Sequence, residues 1–323
     1  MPDNAVRLLR RWDLSEVEPV PETARFLTSA GPVVLRETER SRAEALLLHR
    51  VQVALAEAGL PVAAPLPTRD GRTLVSSDGR RYALYPWIDG RQRSGLDLSI
   101  RQCHELGALL GRLHAELDRA LPPVQQTFLV PAPRAADAVA TADLLMASLP
   151  EPRDDFDALA ARQLAERRVM LLELADHRPP EAEAVTAGYV HGGFSAERIR
   201  YGKVGVVGVL GWDRLRTAPL AGELVRSATM LFGYGDERGL DLDRVAAFVR
   251  GHATAFELDA DQIRSAAHRL WWELLCDVAE RSPGAAALVR WWTADLDHTL
   301  EVFAAAYAET PRAASEDEIL EVS

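Results

Sequence analysis

Residues 188–213 read GYVHGGFSAERIRYGKVGVVGVLGWD, and this stretch decides the fold. Two apolar segments flank the turn YGK at 201–203, a pattern typical of a short β-hairpin. The second segment, residues 204–210, contains two glycines and reads as a buried strand that ends at GWD, residues 211–213. The loop HGG, residues 191–193, precedes the first segment. The stretch therefore predicts two strands joined by a tight turn, with a loop in front.

This pattern resembles the catalytic segment of the aminoglycoside phosphotransferase and choline-kinase-like family, which has a protein-kinase-like fold. In that family the segment reads His-Gly-Asp, four residues, Asn, a hairpin and an apolar strand that ends in Asp. Here the three chemical positions hold Gly193, Arg198 and Gly211. The residues that keep the frame of the motif and are expected to pack its loop are His191, Gly192 and Phe194. The resemblance thus indicates a member with degenerate catalytic motifs.

The three changed positions are the ones that phosphoryl transfer in this family depends on. The resemblance implies a carboxylate and an amide oxygen that hold Mg²⁺, and a second carboxylate that deprotonates the acceptor hydroxyl. Gly211 offers no carboxylate, and Arg198 offers no oxygen and brings a positive charge to the metal position. Gly193 removes the base. On this interpretation no residue is assigned as catalytic or as a metal ligand.

Two acidic residues stand close to the changed positions. Asp213 lies two residues beyond Gly211 and would share its face if the strand continued. Glu197 neighbours Arg198 and could bind an ion only in a rebuilt loop. Neither residue restores a base. The sequence therefore predicts a catalytically inactive pseudokinase that binds a ligand or acts as a scaffold. The alternatives are an active small-molecule phosphotransferase with a relocated metal site, which phosphorylates a hydroxyl group with ATP, and different chemistry in the same cleft.

Residues 1–88 predict a small lobe of strands with one helix. The turn at 29–31 lacks a glycine-rich pattern, and Arg36 stands where the family has a strand lysine. Ser41 and Glu44 form a capping box at the start of the helix. The resemblance makes Arg36–Glu44 the candidate equivalent of the family's lysine–glutamate pair. Capping alone also explains Glu44, and a solvated strand end also explains Arg36.

The run ALYPWIDG, residues 83–90, resembles the family's hinge between two lobes. There the backbone would meet the edge of adenine while Tyr85 and Trp87 supply apolar walls, although both aromatic rings would also fit a packed lobe junction. Arg36 and Arg198 make the cleft cationic, so the ligand expected in the interlobe cleft is a small molecule, a nucleotide or a peptide with negative charge. ATP without Mg²⁺ is the cofactor candidate, and an enzyme is the candidate protein partner.

Residues 89–309 predict a larger, mostly helical lobe that carries the hairpin 189–213, and residues 310–323 predict a disordered acidic tail. The predicted class is α+β, with a bilobal protein-kinase-like fold: a small mixed β-sheet N-lobe and a larger helical C-lobe. The net charge of −11 over 323 residues argues against a nucleic-acid partner. The apolar runs are too short to span a membrane. Two cysteines in apolar helical patterns fit a cytoplasmic protein.

Overall fold

The computed structural model describes residues 5–14, 17–20, 25–124, 128–129, 131–149, 154–180, 184–280 and 282–308. The predicted tail 310–323 lies outside these residues. The chain forms two compact units. The first consists of the described residues within 1–93, 116–123 and 191–216. The second consists of those within 94–115, 124–190 and 217–323.

The first unit is built on an antiparallel sheet. Its elements are α1 (Ala5–Leu9), β1 (Glu18–Pro19), β2 (Arg25–Leu27), β3 (Val33–Thr38), α2 (Arg42–Glu57), β4 (Val75–Ser77) and β5 (Arg80–Pro86). The strand order is β1-β2-β3-β5-β4. Alternate residues of the strands turn inward, so that Phe26 and Leu84 are fully buried together with Trp12 from the segment after α1. The Trp12 indole N–H donates to the Leu66 carbonyl at 2.9 Å.

Helix α2 begins where its sequence predicts. The Ser41 hydroxyl accepts from the Glu44 N–H at 3.3 Å, and the Glu44 carboxylate accepts from the Ser41 N–H at 3.0 Å. Both halves of the predicted capping box are therefore present. At the other end Gly59 has a φ of +74°, a left-handed conformation that stops the helix without strain.

The remaining elements are mostly helical. In chain order they are α3 (Ile100–Ala120), β6 (Phe128–Leu129), α4 (Ala135–Ser148), α5 (Asp155–Glu173), β7 (Ala184–Val185), β8 (Ala187–Val190), β9 (Ile199–Tyr201), β10 (Val206–Val209), β11 (Arg216–Pro219), α6 (Leu220–Phe232), α7 (Leu242–Ala253), α8 (Ala260–Cys276), α9 (Pro283–Ala294) and α10 (Leu296–Ala308). None of the helices in the described part of the chain is long and apolar enough to cross a lipid bilayer.

Strands β9 and β10 form the predicted hairpin and pair in antiparallel register, with Tyr201 opposite Val206. The Val209 N–H donates to the Pro61 carbonyl at 2.7 Å, and Tyr201 exchanges two backbone hydrogen bonds with Arg91. These bonds group residues 191–216 with the N-terminal sheet. The division expected from the sequence instead placed the hairpin with the helical residues 89–309.

Helices α3 and α7 of the second unit cross with their backbones in direct contact. A Cβ atom placed on Gly107 of α3 would lie 1.9 Å from the Phe248 carbonyl oxygen. A Cβ atom placed on Gly251 of α7 would lie 1.9 Å from the His104 carbonyl oxygen. Any side chain larger than hydrogen would force the two helices apart, so glycine at both positions sets the distance between them.

Beside this crossing, three buried side chains form a chain of hydrogen bonds. His114 Nε2 lies 2.9 Å from Glu223 Oε2, and His114 Nδ1 lies 3.0 Å from His252 Nε2. All three residues are buried. Burial, and secondarily the neighbouring His114, hold the pKa of His252 well below its ordinary value. The second unit therefore contains a histidine that stays neutral when the unfolded chain would protonate it.

Acidification is expected to destabilise the protein below about pH 6.5, where the histidines of the unfolded chain take up protons. The folded pKa of His252 is lowered, and burial lowers that of His49 in the first unit to about 4. The folded state thus binds fewer protons than the unfolded state, so the free energy of unfolding decreases as the pH is lowered, with a contribution from His252 of roughly 1 kcal/mol per pH unit. Urea denaturation between pH 7.5 and pH 5 measures this. A free energy of unfolding that stays constant across this interval would contradict it.

Candidate functional site

A cavity of about 390 Å³ lies in the first unit, between the sheet, helix α2 and the end of the hairpin. Its volume is within the range of small-molecule sites. Its apolar lining includes Val34 on β3, Ala83 on β5 and Val209 on β10, with Ile88 beyond the end of β5. These side chains give one part of the cavity an apolar lining.

Both aromatic residues of the predicted hinge line this cavity. The Arg36 guanidinium carbon lies 5.8 Å from the centre of the Tyr85 ring, and the Tyr85 hydroxyl donates to Gln52 Oε1 at 3.3 Å. Burial raises the pKa of Tyr85 to about 12, so the phenol is neutral. Trp87 is 40% exposed, and the Arg25 guanidinium lies 5.0 Å above its ring. The structure thus brings Arg36, Tyr85 and Trp87 to one cavity.

The candidate ion pair between Arg36 and Glu44 is not formed. Glu44 is exposed in the first turn of α2, where hydrogen bonds from the side chain and backbone of Ser41 lower the pKa of its carboxyl. The residues of α2 that line the cavity are Ala45, Leu48, His49 and Gln52. The Glu44 carboxylate is held at the start of α2 because it accepts a hydrogen bond in the capping box. The Arg36 guanidinium lies over the Tyr85 ring and not beside Glu44. The capping alternative for Glu44 is the one that the geometry supports.

His49 and Gln52 are polar residues of the site that the sequence interpretation missed. His49 Nδ1 lies 2.8 Å from the Thr73 hydroxyl, and its ring meets Tyr85 edge-on at 6.1 Å. Gln52 accepts from Tyr85, as described above. The available signal was their spacing of three residues on one helix, which places both side chains on one face. These contacts fix the position of the Tyr85 ring.

The hinge backbone leaves two N–H donors on residues that line the cavity. The Trp87 N–H donates to the Pro32 carbonyl at 2.9 Å and so extends the sheet. Pro86 has no N–H to offer. Ile88 and Gly90 line the cavity, and within the described residues the N–H of each bonds to no acceptor. The backbone donors for the predicted contact with the edge of adenine are therefore those of Ile88 and Gly90.

Strand β10 ends at Val209 and does not continue to Asp213. Gly211 has a φ of +89°, which turns the chain into a 3-10 turn over Trp212–Arg214. The expectation that Asp213 would share the face of Gly211 on a continued strand is thus wrong, because a left-handed glycine breaks the alternation. Asp213 is exposed, lines the cavity, and accepts a hydrogen bond at its main-chain carbonyl from Arg40.

The Arg198 side chain occupies the space beside Gly211. A Cβ atom placed on Gly211 would lie 2.9 Å from Arg198 Cδ and 3.2 Å from its Nε. The neighbouring Glu197 is exposed, and its carbonyl accepts from Gln92 Nε2 and Arg200 Nη1, each at 2.8 Å. These bonds fix the loop by its backbone, and Glu197 does not line the cavity.

An arginine also covers the other glycine. A Cβ atom placed on Gly193 would lie 2.9 Å from Arg214 Cδ. The framing residues pack around this loop. His191 is fully buried and donates from Nε2 to the Leu210 carbonyl at 2.9 Å, and Phe194 is buried as well. Gly192 has a φ of +78°, the left-handed conformation that its turn requires.

The residues at these positions do not fit a magnesium ion. Mg²⁺ takes oxygen ligands in octahedral geometry, usually from one or two carboxylates and substrate phosphates. Gly211 supplies no side-chain oxygen, and the Arg198 stem fills the space where a carboxylate would stand. Within the described ranges, no group of three or more His, Cys, Asp or Glu side chains is placed to hold a metal ion. The side chains at these positions therefore do not support a Mg²⁺-dependent catalytic step.

Comparison with known proteins agrees with the resemblance read from the hairpin. The family model described as "phosphotransferase enzyme family" matches residues 21–264, well over half of the chain. Among curated proteins, the homoserine kinase of Pseudomonas aeruginosa is 34% identical over 109 residues, 33% of this chain and 34% of that protein. Stress response kinase A of Salmonella choleraesuis is 39% identical over 66 residues, 20% of this chain and 19% of that protein. The chain thus aligns with a third or less of the length of these relatives.

Solved structures of kinases share the fold over nearly the whole chain. An aminoglycoside phosphotransferase from Alicyclobacillus acidocaldarius superposes with a TM-score of 0.59 at 12% identity, covering 93% of this chain and 94% of that one. A spectinomycin phosphotransferase in complex with ADP and spectinomycin has a TM-score of 0.57 at 14% identity, covering 95% and 99%. At these identities the likeness concerns the fold alone, and it confirms the predicted α+β, protein-kinase-like class.

Proposed function

Because this chain belongs to the phosphotransferase enzyme family, we propose that it is a member without phosphoryl-transfer activity, which binds an anionic ligand such as a nucleotide without Mg²⁺. The observation that carries the proposal is the Arg198 side chain in the space above Gly211. A cation then stands where the metal-binding carboxylate of the family is expected.

The loss of chemistry follows from what phosphoryl transfer requires. The reaction depends on positioning and on neutralisation of charge at the transferred group, with a carboxylate that orients the acceptor hydroxyl. Gly193 supplies no carboxylate, and the Arg214 stem covers it. Loss of a general base alone typically costs about 10²-fold to 10⁴-fold in rate. The arrangement therefore supports binding and disfavours turnover.

Ligand binding is supported by what the cavity retains. Its apolar wall and the aromatic rings of Tyr85 and Trp87 suit a planar base, and the Ile88 N–H offers a donor at the edge of such a ring. Arg36 supplies a cation for phosphate. We take the protein to act as a ligand-binding or scaffolding component of the cytoplasm, with an enzyme as its protein partner.

The proposal is tested by titrating ATP and ADP in EDTA and again in Mg²⁺, with calorimetry for binding and a coupled assay for ATP consumption. We expect similar affinity in both buffers and no consumption. Arg36→Ala is expected to weaken binding about tenfold, the effect of losing one charge-assisted contact. Arg50→Ala is the matched control, because Arg50 is exposed on α2 and does not line the cavity.

Two results would contradict this proposal in different ways. Mg²⁺-dependent ATP consumption with an added hydroxyl substrate would show an active phosphotransferase. The exposed carboxylate of Asp213 at the cavity would then be the candidate ligand of a relocated metal. Absence of nucleotide binding in both buffers would instead refute the ligand-binding half of the proposal, while the lack of turnover would stand.

A further inference from the structure

Three arginine side chains surround the two glycine loops of the site. Arg198 lies over Gly211, with its Nη1 atom 3.2 Å from the position of a Cβ atom on that glycine. Arg214 lies over Gly193, with its Nη1 atom 3.8 Å from the corresponding Cβ position. Arg216 donates from Nη1 to the carbonyl of the preceding glycine, Gly192, at 3.2 Å. All three belong to the first unit.

The two loops are held to each other through the backbone. The His191 side chain bonds to the Leu210 carbonyl at 2.9 Å, which joins the first loop to the residue before Gly211. The Arg214 N–H donates to the Gly211 carbonyl at 3.2 Å, which closes the second loop into one turn. The two loops are therefore joined to each other, and the three arginine side chains lie against them.

The positive charge at this place is not neutralised by the protein. Among the described residues, no carboxylate comes within 4 Å of the Arg198, Arg214 or Arg216 guanidinium group, although Glu197 and Asp213 are sequence neighbours of the first two. Some arginines of the same unit are paired, as in Arg69–Asp13 at 2.5 Å, whereas others, such as Arg36, form no ion pair with any residue that the structure describes.

We propose that Arg198, Arg214 and Arg216 form a metal-independent site for an oxyanion, the phosphate or carboxylate group of a small molecule. Guanidinium groups present planar forks of N–H donors that match the oxygens of both anions. An oxyanion bound among them would neutralise the mutual repulsion of the three cations. Within the described residues the Gly193 N–H also bonds to no acceptor and provides a further donor.

This site rests on the proposed function and extends it, because Gly211, which Arg198 covers, also lines the cavity and so places the two sites side by side. An oxyanion site also explains why two arginines, Arg198 and Arg214, occur together with two glycines, Gly211 and Gly193. Arg198 and Arg214 can approach the loops only because Gly211 and Gly193 carry no side chain, as the 2.9 Å distances show. The changes that remove the carboxylates therefore make room for the anion-binding groups.

The arginine site is tested by calorimetric titration of inorganic phosphate and of malonate, in EDTA and at low ionic strength. Neither anion carries an aromatic ring, so the titration examines this site separately from the cavity. We expect saturable binding of at least one anion, with the preferred one identifying the group as phosphate or carboxylate. Arg198→Gln and Arg214→Gln are each expected to weaken it about tenfold, and the double variant to abolish it. Arg50→Gln, which removes the same charge from an exposed position on α2, is expected to change the affinity less than twofold.

The outcomes distinguish this site from the cavity. Absence of saturable binding of both anions would overturn the proposal, and so would anion binding that the double variant retains. Adenosine, which has no oxyanion, is expected to bind the parent protein and the double variant with equal affinity. Failure of adenosine to bind while phosphate still does would refute the cavity as a ring site and leave the arginine site standing. Thermal unfolding of each variant verifies that the fold is retained.

Discussion

Gly107→Ala is expected to destabilise the protein by about 3 kcal/mol, the upper end of the range for overpacking. The added methyl group would lie 1.9 Å from the Phe248 carbonyl oxygen, which is backbone and has no rotamer by which to withdraw. Helices α3 and α7 would have to separate by more than 1 Å, and the buried contacts beside the crossing would open. Urea denaturation followed by circular dichroism measures the decrease in the free energy of unfolding. Recovery of the variant in the insoluble fraction would indicate an even larger decrease.

Gly222→Ala provides the matched control for this prediction. Gly222 also lies in a helix, α6, but a Cβ atom there meets only Pro219 Cβ at 3.6 Å, an ordinary contact. The substitution is expected to leave stability unchanged or raise it by up to about 1 kcal/mol, because alanine is the better helix former. Equal stability of the two alanine variants would show that the contact between the helices is looser than the structure has it.

Restoring the family's residues is expected to recover metal binding only when Arg198 is replaced as well. In Gly211→Asp alone, the new carboxylate would meet Arg198, whose Cδ lies 2.9 Å from the position of the Cβ atom, and form an ion pair with it. Gly211→Asp with Arg198→Asn removes the cation and supplies the two oxygen ligands. Nucleotide affinity should then increase in Mg²⁺ for the double variant and stay metal-independent for the single one.

Turnover is expected to require a third change, Gly193→Asp, which supplies the base. Arg214 covers this position with a flexible side chain, so the aspartate can displace it. ATP consumption by the triple variant with a panel of hydroxyl acceptors should exceed that of the double variant by at least about 100-fold. The double variant is itself the control, because it shares the metal ligands. Metal-dependent binding in Gly211→Asp alone would contradict the role assigned to Arg198.

Local patterns in the sequence predicted much of the fold correctly. The capping box of Ser41 and Glu44 starts α2 where expected, because both of its hydrogen bonds join residues three positions apart. The hairpin of β9 and β10 also follows from local pattern, with apolar segments around the turn at 201–203. Such features need no knowledge of distant contacts, and the family resemblance then ordered them into a kinase-like fold.

The site was less predictable, because it depends on where side chains meet across the chain. Arg198 was expected to be a cation in the cleft, but only the structure shows its stem over Gly211, thirteen residues later. No pattern in the sequence marks Arg214 as a site residue, because a lone arginine after a strand is usually solvated. The position of Asp213 depends on the left-handed conformation of Gly211, and strand periodicity gave no signal of that turn.

The contact between Arg198 and Gly211 also limits which single substitutions could give this protein a metal site during evolution. Reverting Gly211 alone produces a carboxylate neutralised by the arginine, and reverting Arg198 alone removes a side chain that fills space beside a glycine. On the proposed function, neither substitution by itself is expected to give a metal site. Both Arg198 and Gly211 would have to change before a metal could bind, so selection for catalysis would have nothing to act upon after the first change alone.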